Sequence, residues 1–132
     1  MYRITKESFG FGLKFEGIIG PDEMKQWRQE AIRVLVGAPS SFNVLIDMRT
    51  LRGNELARET QEEIVDGIQL FKRSGMVYSC FILDSASVTA QYKRRARESS
   101  GYSHERYINA SVEPRWLIKA LRWLEDQIDP DW

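Results

Sequence analysis

Two short apolar runs constrain this 132-residue chain more than any other feature. Phe42 to Ile46 is apolar apart from Asn43 and stops at Asp47, and Met76 to Leu83 stops in the same way at Asp84. Neither run alternates with polar residues, so each reads as a strand buried on both faces, the environment of a central strand in a parallel sheet. A segment of helical periodicity follows each run. The two strands are therefore expected to lie side by side and point the same way. Their carboxyl ends would form a shared rim, where ligands and partners of open α/β sheets gather.

The flanking segments complete an α/β pattern. Met1 to Glu7 alternates, with Tyr2, Ile4 and Lys6 on one side. Phe9 to Glu16 alternates with Phe9, Phe11, Leu13 and Phe15 on one face. These are two half-buried strands, joined near Glu7-Ser8 as a hairpin. Gly20-Pro21-Asp22 opens a helix with Met24, Trp27, Ala31, Val34 and Leu35 inward, and Gly37-Ala38-Pro39 ends it. Met48 to Asn54 reads as a loop. A helix over Glu55 to Arg73 follows, in which Gly67 marks a place where the helix backbone approaches the sheet, because glycine there costs about 1 kcal/mol of propensity. Asp84-Ser85 caps a helix over Ala86 to Ser99. Arg106 to Asn109 is a short strand. Pro114 starts a last helix to about Gln127, with Leu117, Leu121, Leu124 and Ile128 inward. The expectation is one α/β domain over residues 1–132: a mostly parallel sheet of four to five strands, an N-terminal antiparallel hairpin and four helices, with right-handed crossovers.

Composition narrows the function classes. Lysine plus arginine and aspartate plus glutamate both number 19, so the basic excess usual in a nucleic-acid binder is missing. Cys80 is the one cysteine. It can form neither an internal disulfide nor a cysteine cluster for zinc, and inside an apolar run it reads as a buried, inert thiol. No apolar stretch approaches the roughly 20 residues that span a bilayer, and Met1 to Glu7 carries charges where a signal peptide needs apolar residues. The expected location is the cytoplasm.

Few residues suggest chemistry. Asp47, Arg49 and Asp84 could converge at the rim with the amides of the following helix; alternatively the aspartates satisfy loop and cap amides and Arg49 pairs with one of them. Gly10-Phe11-Gly12 falls within a strand with no helix after it, unlike a dinucleotide fingerprint. His104 is the only histidine. It could pair with Glu105 but cannot build a metal site. Lys93-Arg94-Arg95-Ala96-Arg97 scatters its charges around a helix face, so solvation competes with binding of an acidic partner. No catalytic centre, metal or cofactor is expected. On the last helix Trp116, Ala120 and Trp123 form a second stripe beside the inward one, which suggests either a homodimer interface or packing under the sheet edge.

Val44-Leu45-Ile46-Asp47-Met48-Arg49 leading into a long helix resembles a STAS domain of the SpoIIAA-like branch. So do Lys72-Arg73-Ser74-Gly75 before a strand, Glu105-Arg106-Tyr107-Ile108, and Ala120-Leu121-Arg122-Trp123-Leu124 in the last helix. The resemblance implies a small bacterial regulatory domain that binds a protein partner at the start of its second helix, switched by phosphorylation of a serine there. This chain departs from that switch. Eight residues after Asp47 stands Glu55, followed by Leu56 and Ala57, and no serine lies between Ser41 and Ser74. Thr50 and Thr60 are the nearby hydroxyls. The resemblance places the partner-binding surface at Arg49, Thr50, Arg52, Asn54 and Glu55. Related domains bind lipids or other small apolar molecules, for which Phe9, Phe11 and Phe15 could line a cavity or simply form core.

Overall fold

The computed structural model describes residues 1–52, 58–99 and 101–131, the side chains of 58–62 and 65 excepted. The elements run β1 (Tyr2–Glu7), β2 (Gly10–Gly17), α1 (Pro21–Val36), β3 (Phe42–Leu51), α2 (Arg58–Arg73), β4 (Met76–Leu83), α3 (Ala86–Glu98), β5 (Glu105–Asn109) and α4 (Trp116–Asp126). The strands form one five-stranded sheet in the order β1-β2-β3-β4-β5. β1 is antiparallel to β2, and every other neighbouring pair is parallel. The expected adjacency of the two apolar runs holds, with Leu45 opposite Cys80 and Asp47 opposite Ile82.

Side-chain alternation assigns the faces. Phe11, Leu13, Phe15, Val44 and Ile46 pack with Trp27 and Ala31 of α1 and with Ile64 and Phe71 of α2. Leu83 and Tyr107 continue that face against Ala96 of α3, where Phe81, Tyr92 and Tyr107 stack. The residues between them, Cys80, Ile82 and Ile108, face the other way and meet α4. Three helices thus cover one face and α4 covers part of the other. α4 packs on β3, β4 and β5. The opposite-face residues of β1 and β2, Arg3, Thr5, Glu7, Gly12, Lys14 and Glu16, are polar or glycine, as one solvated face of an antiparallel pair should be.

Asn43, the polar residue in the first apolar run, has a defined task. Between Phe42↔Met76 and Val44↔Ser79 the register shifts, and β4 carries one extra residue. The Tyr78 N–H beside this bulge donates to Asn43 Oδ1 at 3.0 Å, and Asn43 Nδ2 donates to the Leu124 carbonyl at the end of α4 at 2.7 Å. One carboxamide thus satisfies a bulge and ties the sheet to α4. Gly10 is required alongside it. At φ +146°, its backbone lies so close to β3 that a Cβ would sit 2.1 Å from the Asn43 backbone carbonyl oxygen.

Several expectations are corrected. β3 does not end at Asp47. Its pairing with β4 stops there, but β2 pairing continues through Glu16↔Thr50 and Gly17↔Leu51, so Met48 to Leu51 are strand rather than loop. Gly67 approaches α1 and not the sheet: a Cβ there would lie 2.0 Å from the Trp27 ring. Phe11 and Phe15 are core, edge-to-face with Phe42 and Trp27 respectively, whereas Phe9 packs with the α4 cluster on the opposite face. Of the expected Asp84-Ser85 cap of α3, Ser85 is the residue that acts, its Oγ accepting from the Val88 N–H at 3.3 Å.

The largest correction concerns α4. Ala120 and Trp123 are 0% and 4% exposed, while Leu117 is 44% exposed. The helix is rotated so that the stripe read as a free flank is the one on the sheet, with Leu124 shared between both readings. Ala120 lets the helix approach closely, and Trp123 finds a partner for its indole N–H in the Ser79 carbonyl at 3.0 Å. Ala120 and Trp123 therefore pack within the chain itself, while Trp116 is half-buried against the same cluster.

Candidate functional site

The carboxyl rim is built where β3 outruns β4. Asp47 is buried, and Arg49, two residues on and on the same face, folds back over it. Arg49 Nε and Nη2 donate to the two Asp47 carboxylate oxygens at 3.0 and 2.9 Å, and the Arg49 backbone N–H donates to Oδ1 at 3.1 Å. This bidentate fork is the geometry that makes an arginine–carboxylate pair rigid. The hydrogen bond that Arg49 donates to Asp47 raises the Arg49 pKa above its ordinary value, against partial desolvation, and the charges of Asp47, Asp84 and Glu16 add to it. Of the two readings open from sequence, the structure takes the one in which Arg49 pairs with Asp47.

Arg49 also lies over the Trp116 ring at 4.1 Å from its centroid. This cation–π contact joins the end of β3 to the first turn of α4 and adds a second constraint to the guanidinium that Asp47 already holds. Close to Trp116 in the chain, aliphatic residues are exposed. Val112, Leu117 and Ile118 are 76%, 44% and 45% exposed. The sequence singled out Trp116 but not these three, because its phase for α4 turned Leu117 inward and left Val112 in a connecting segment.

Of the expected partner-binding residues, Arg49 and Thr50 stand on β3 and Arg52 just beyond it; Thr50 and Arg52 are exposed. The Arg52 N–H donates to the Gly17 carbonyl at 3.1 Å, which keeps the β3 exit beside β2. Asn54 and Glu55 lie outside the described residues, as do Leu56, Ala57 and the Thr60 side chain.

The other candidates separate. His104 stacks on Tyr78, with ring centroids 5.4 Å apart, and its Nδ1 lies 2.8 Å from Ser103 Oγ. Glu105 is engaged elsewhere: Lys72 Nζ sits 2.8 Å from Oε1, and the Tyr107 hydroxyl donates to Oε2 at 2.5 Å. Burial, then this bond to Glu105, pushes the Tyr107 pKa up. Burial likewise pushes the Cys80 thiol up, which keeps it in the unreactive thiol form. In the basic run, Lys93 pairs with Asp131 at 3.0 Å and holds the C-terminal segment, while Arg97 lies over Tyr102, in the turn before β5, at 4.6 Å. At the amino end of the sheet Lys72, Met76, Ser79, His104 and Glu105 line an open groove of about 360 Å³. Ser79 Oγ is buried there without a hydrogen-bond partner among the described residues.

No protein-family model and no curated protein matches the chain. Among solved structures it is similar to an uncharacterised DUF3478-family protein with a SpoIIAA-like fold from Shewanella loihica. The TM-score is 0.60 at 16% sequence identity, over 94% of this chain and 92% of that one. The chain thus has a SpoIIAA-like α/β fold. No helix among the described residues is long and apolar enough to cross a membrane.

Proposed function

We propose that this chain is a non-enzymatic, regulatory protein-binding domain that engages a partner at its carboxyl rim without a serine phospho-switch. The carrying observation is the Trp116–Arg49 pair at the end of β3, with exposed aliphatics, Val112, Leu117 and Ile118, close to Trp116 in the chain. A tryptophan and an arginine ordered in advance, with exposed aliphatics on nearby residues of the chain, is the composition of an interface centre rather than of a substrate cleft. Pre-ordering matters because a side chain already fixed loses little entropy on binding. Two charges of the rim, half-buried Arg49 and buried Asp47, are matched to each other, as suits a surface that presents shape rather than reactivity.

The test compares partner capture by the wild-type chain and by a Leu117→Asp, Ile118→Asp variant. Both positions are exposed, so the melting temperature should stay close to wild type. The expected result is loss of a specific captured protein in the variant. Equal capture by both proteins, with both folded, overturns the rim as the binding surface.

A second reading, a small amphiphilic ligand, is favoured by the groove at the amino end, where the unpartnered Ser79 hydroxyl adjoins apolar Met76 and Val77. A small mass retained in native mass spectrometry and lost in Ser79→Ala would support it.

A further inference from the structure

We infer that the outer edge of β1 is a self-recognition surface on which a second copy of this chain adds its own β1, antiparallel, to form a continuous ten-stranded sheet. β1 is an edge strand: its described pairing is to β2 alone. The direction of its backbone groups follows from the ladder. The Glu16 N–H donates to the Met1 carbonyl at 2.7 Å, so Met1 and Glu16 are a hydrogen-bonded pair. Antiparallel pairs alternate, so Arg3, Thr5 and Glu7 bond inward to β2, and Tyr2, Ile4 and Lys6 point their N–H and C=O groups outward. A strand arriving at this edge must bond to those three.

A second β1 related by a two-fold axis meets this requirement in a register that centres on Thr5. Ile4 of each copy then faces Lys6 of the other, and both have outward backbone groups. On the open face of the sheet Thr5 faces Thr5, and Arg3 of each copy faces Glu7 of the other. The charges thus complement one another twice, once on each side of the axis, and opposite charges and paired threonines are both favourable cross-strand neighbours. Arg3 makes no ion pair among the described residues, and both Arg3 and Glu7 are exposed. Glu7 is held by the Thr5 hydroxyl at 3.0 Å, which orders both side chains along the edge. Shifting the register by two residues one way sets Arg3 against Thr5, and by two more sets Arg3 against itself. Shifting the other way sets Thr5 against Glu7 and leaves Arg3 without an acid. The same charges discourage foreign strands, the usual role of charged side chains on an edge.

The test is the molar mass in solution, by light scattering and sedimentation over a concentration series, with circular dichroism confirming the fold of each variant. The wild-type chain should show twice the chain mass at high concentration. Arg3→Glu and Glu7→Arg should each weaken the dimer about tenfold or more by opposing like charges, and the double swap should restore it. Lys6→Pro removes an outward N–H that β2 does not use and should give a monomer. A wild-type chain that stays monomeric to millimolar concentration, or a dimer indifferent to the swaps and to Lys6→Pro, overturns the inference.

Discussion

The two edges of the sheet are finished in opposite ways. β5 is short, and its central residues Arg106, Tyr107 and Ile108 are all buried. The segment after α4 returns to it: Arg106 Nε and Nη2 donate to the two carboxylate oxygens of Asp129 at 3.0 and 3.1 Å. The same guanidinium is held between Tyr102 and Trp123, 4.1 and 4.2 Å from their ring centroids, and its Nη1 donates to the carbonyls of Tyr102 and Glu105. Asp131 adds bonds to Lys93 and Tyr102. Among the described residues β1 has no such cover. It carries Arg3, Lys6 and Glu7 into solvent, and half of its backbone groups face outward unpaired by β2. One edge is sealed by a buried arginine, the other guarded only by surface charge. Stability should therefore concentrate at β5 and adaptability at β1.

The sharpest way to break this contrast is Arg106→Ala. It strands the Asp129 carboxylate, opens the space between two aromatic rings and frees the C-terminal segment. The expected loss is about 3 kcal/mol of unfolding free energy, read from urea titration. A loss below about 0.5 kcal/mol, the range of an exposed pair, would show that the β5 clamp is no stronger than the β1 surface. Acid probes the same bond from the other side. The hydrogen bond from Arg106 lowers the Asp129 pKa in the folded chain, with the Asp131 N–H and the Arg106 and Lys93 charges assisting. A carboxyl group with a depressed folded-state pKa stabilises above its unfolded value, about 3.9, and loses that contribution as pH falls through the folded value. The urea midpoint of the wild type should fall in that acid window, and Arg106→Ala should flatten the fall. An identical acid dependence in both proteins would remove Asp129 as its source.

Asn43 binds the centre of the sheet to the same helix that supports the β5 clamp. Asn43→Ala leaves the Tyr78 N–H and the Leu124 carbonyl without the partner they now share and should cost about 2 kcal/mol. Because Leu124 ends the helix that carries Trp123, the loss should be less than additive with Arg106→Ala in a double-mutant cycle. Strict additivity would show that bulge and clamp are independent.

These residues also mark how far the sequence was legible. The two apolar runs, their aspartate ends and the helical segments between them are local patterns, and they place the parallel strands correctly. The N-terminal alternation does the same for the hairpin. What escaped is non-local. Asn43 reads as a flaw in an apolar run because its partners lie 35 and 81 residues away. α4 carries two adjoining apolar stripes, and periodicity cannot choose between them. The choice rests on Ala120 fitting the sheet and Trp123 reaching a carbonyl on β4 and an arginine on β5. At the rim, Asp47 and Arg49 are legible as a close pair, but the ring that completes them comes from Trp116. The extension of β3 to Leu51 was hidden because β2, rather than a further apolar run, supports it.

The smallest expected effect concerns β1 and asks only where exchange occurs. Arg3→Ala should change the stability of the folded monomer by less than about 0.5 kcal/mol, since no described contact is lost with it. In hydrogen exchange at low concentration, the amides of Arg3, Thr5 and Glu7, which bond to β2, should be protected, while those of Tyr2, Ile4 and Lys6 exchange freely. Raising the concentration should slow Ile4 and Lys6 in particular, because these residues bond across the proposed two-fold, and Arg3→Glu should abolish that slowing. The amides of β5 should show no such dependence at any concentration, because the proposed two-fold lies at β1, on the opposite edge of the sheet. Uniform protection along β1, unchanged by concentration, would mean that its outer edge is already satisfied, and the two edges would then differ in chemistry but not in availability.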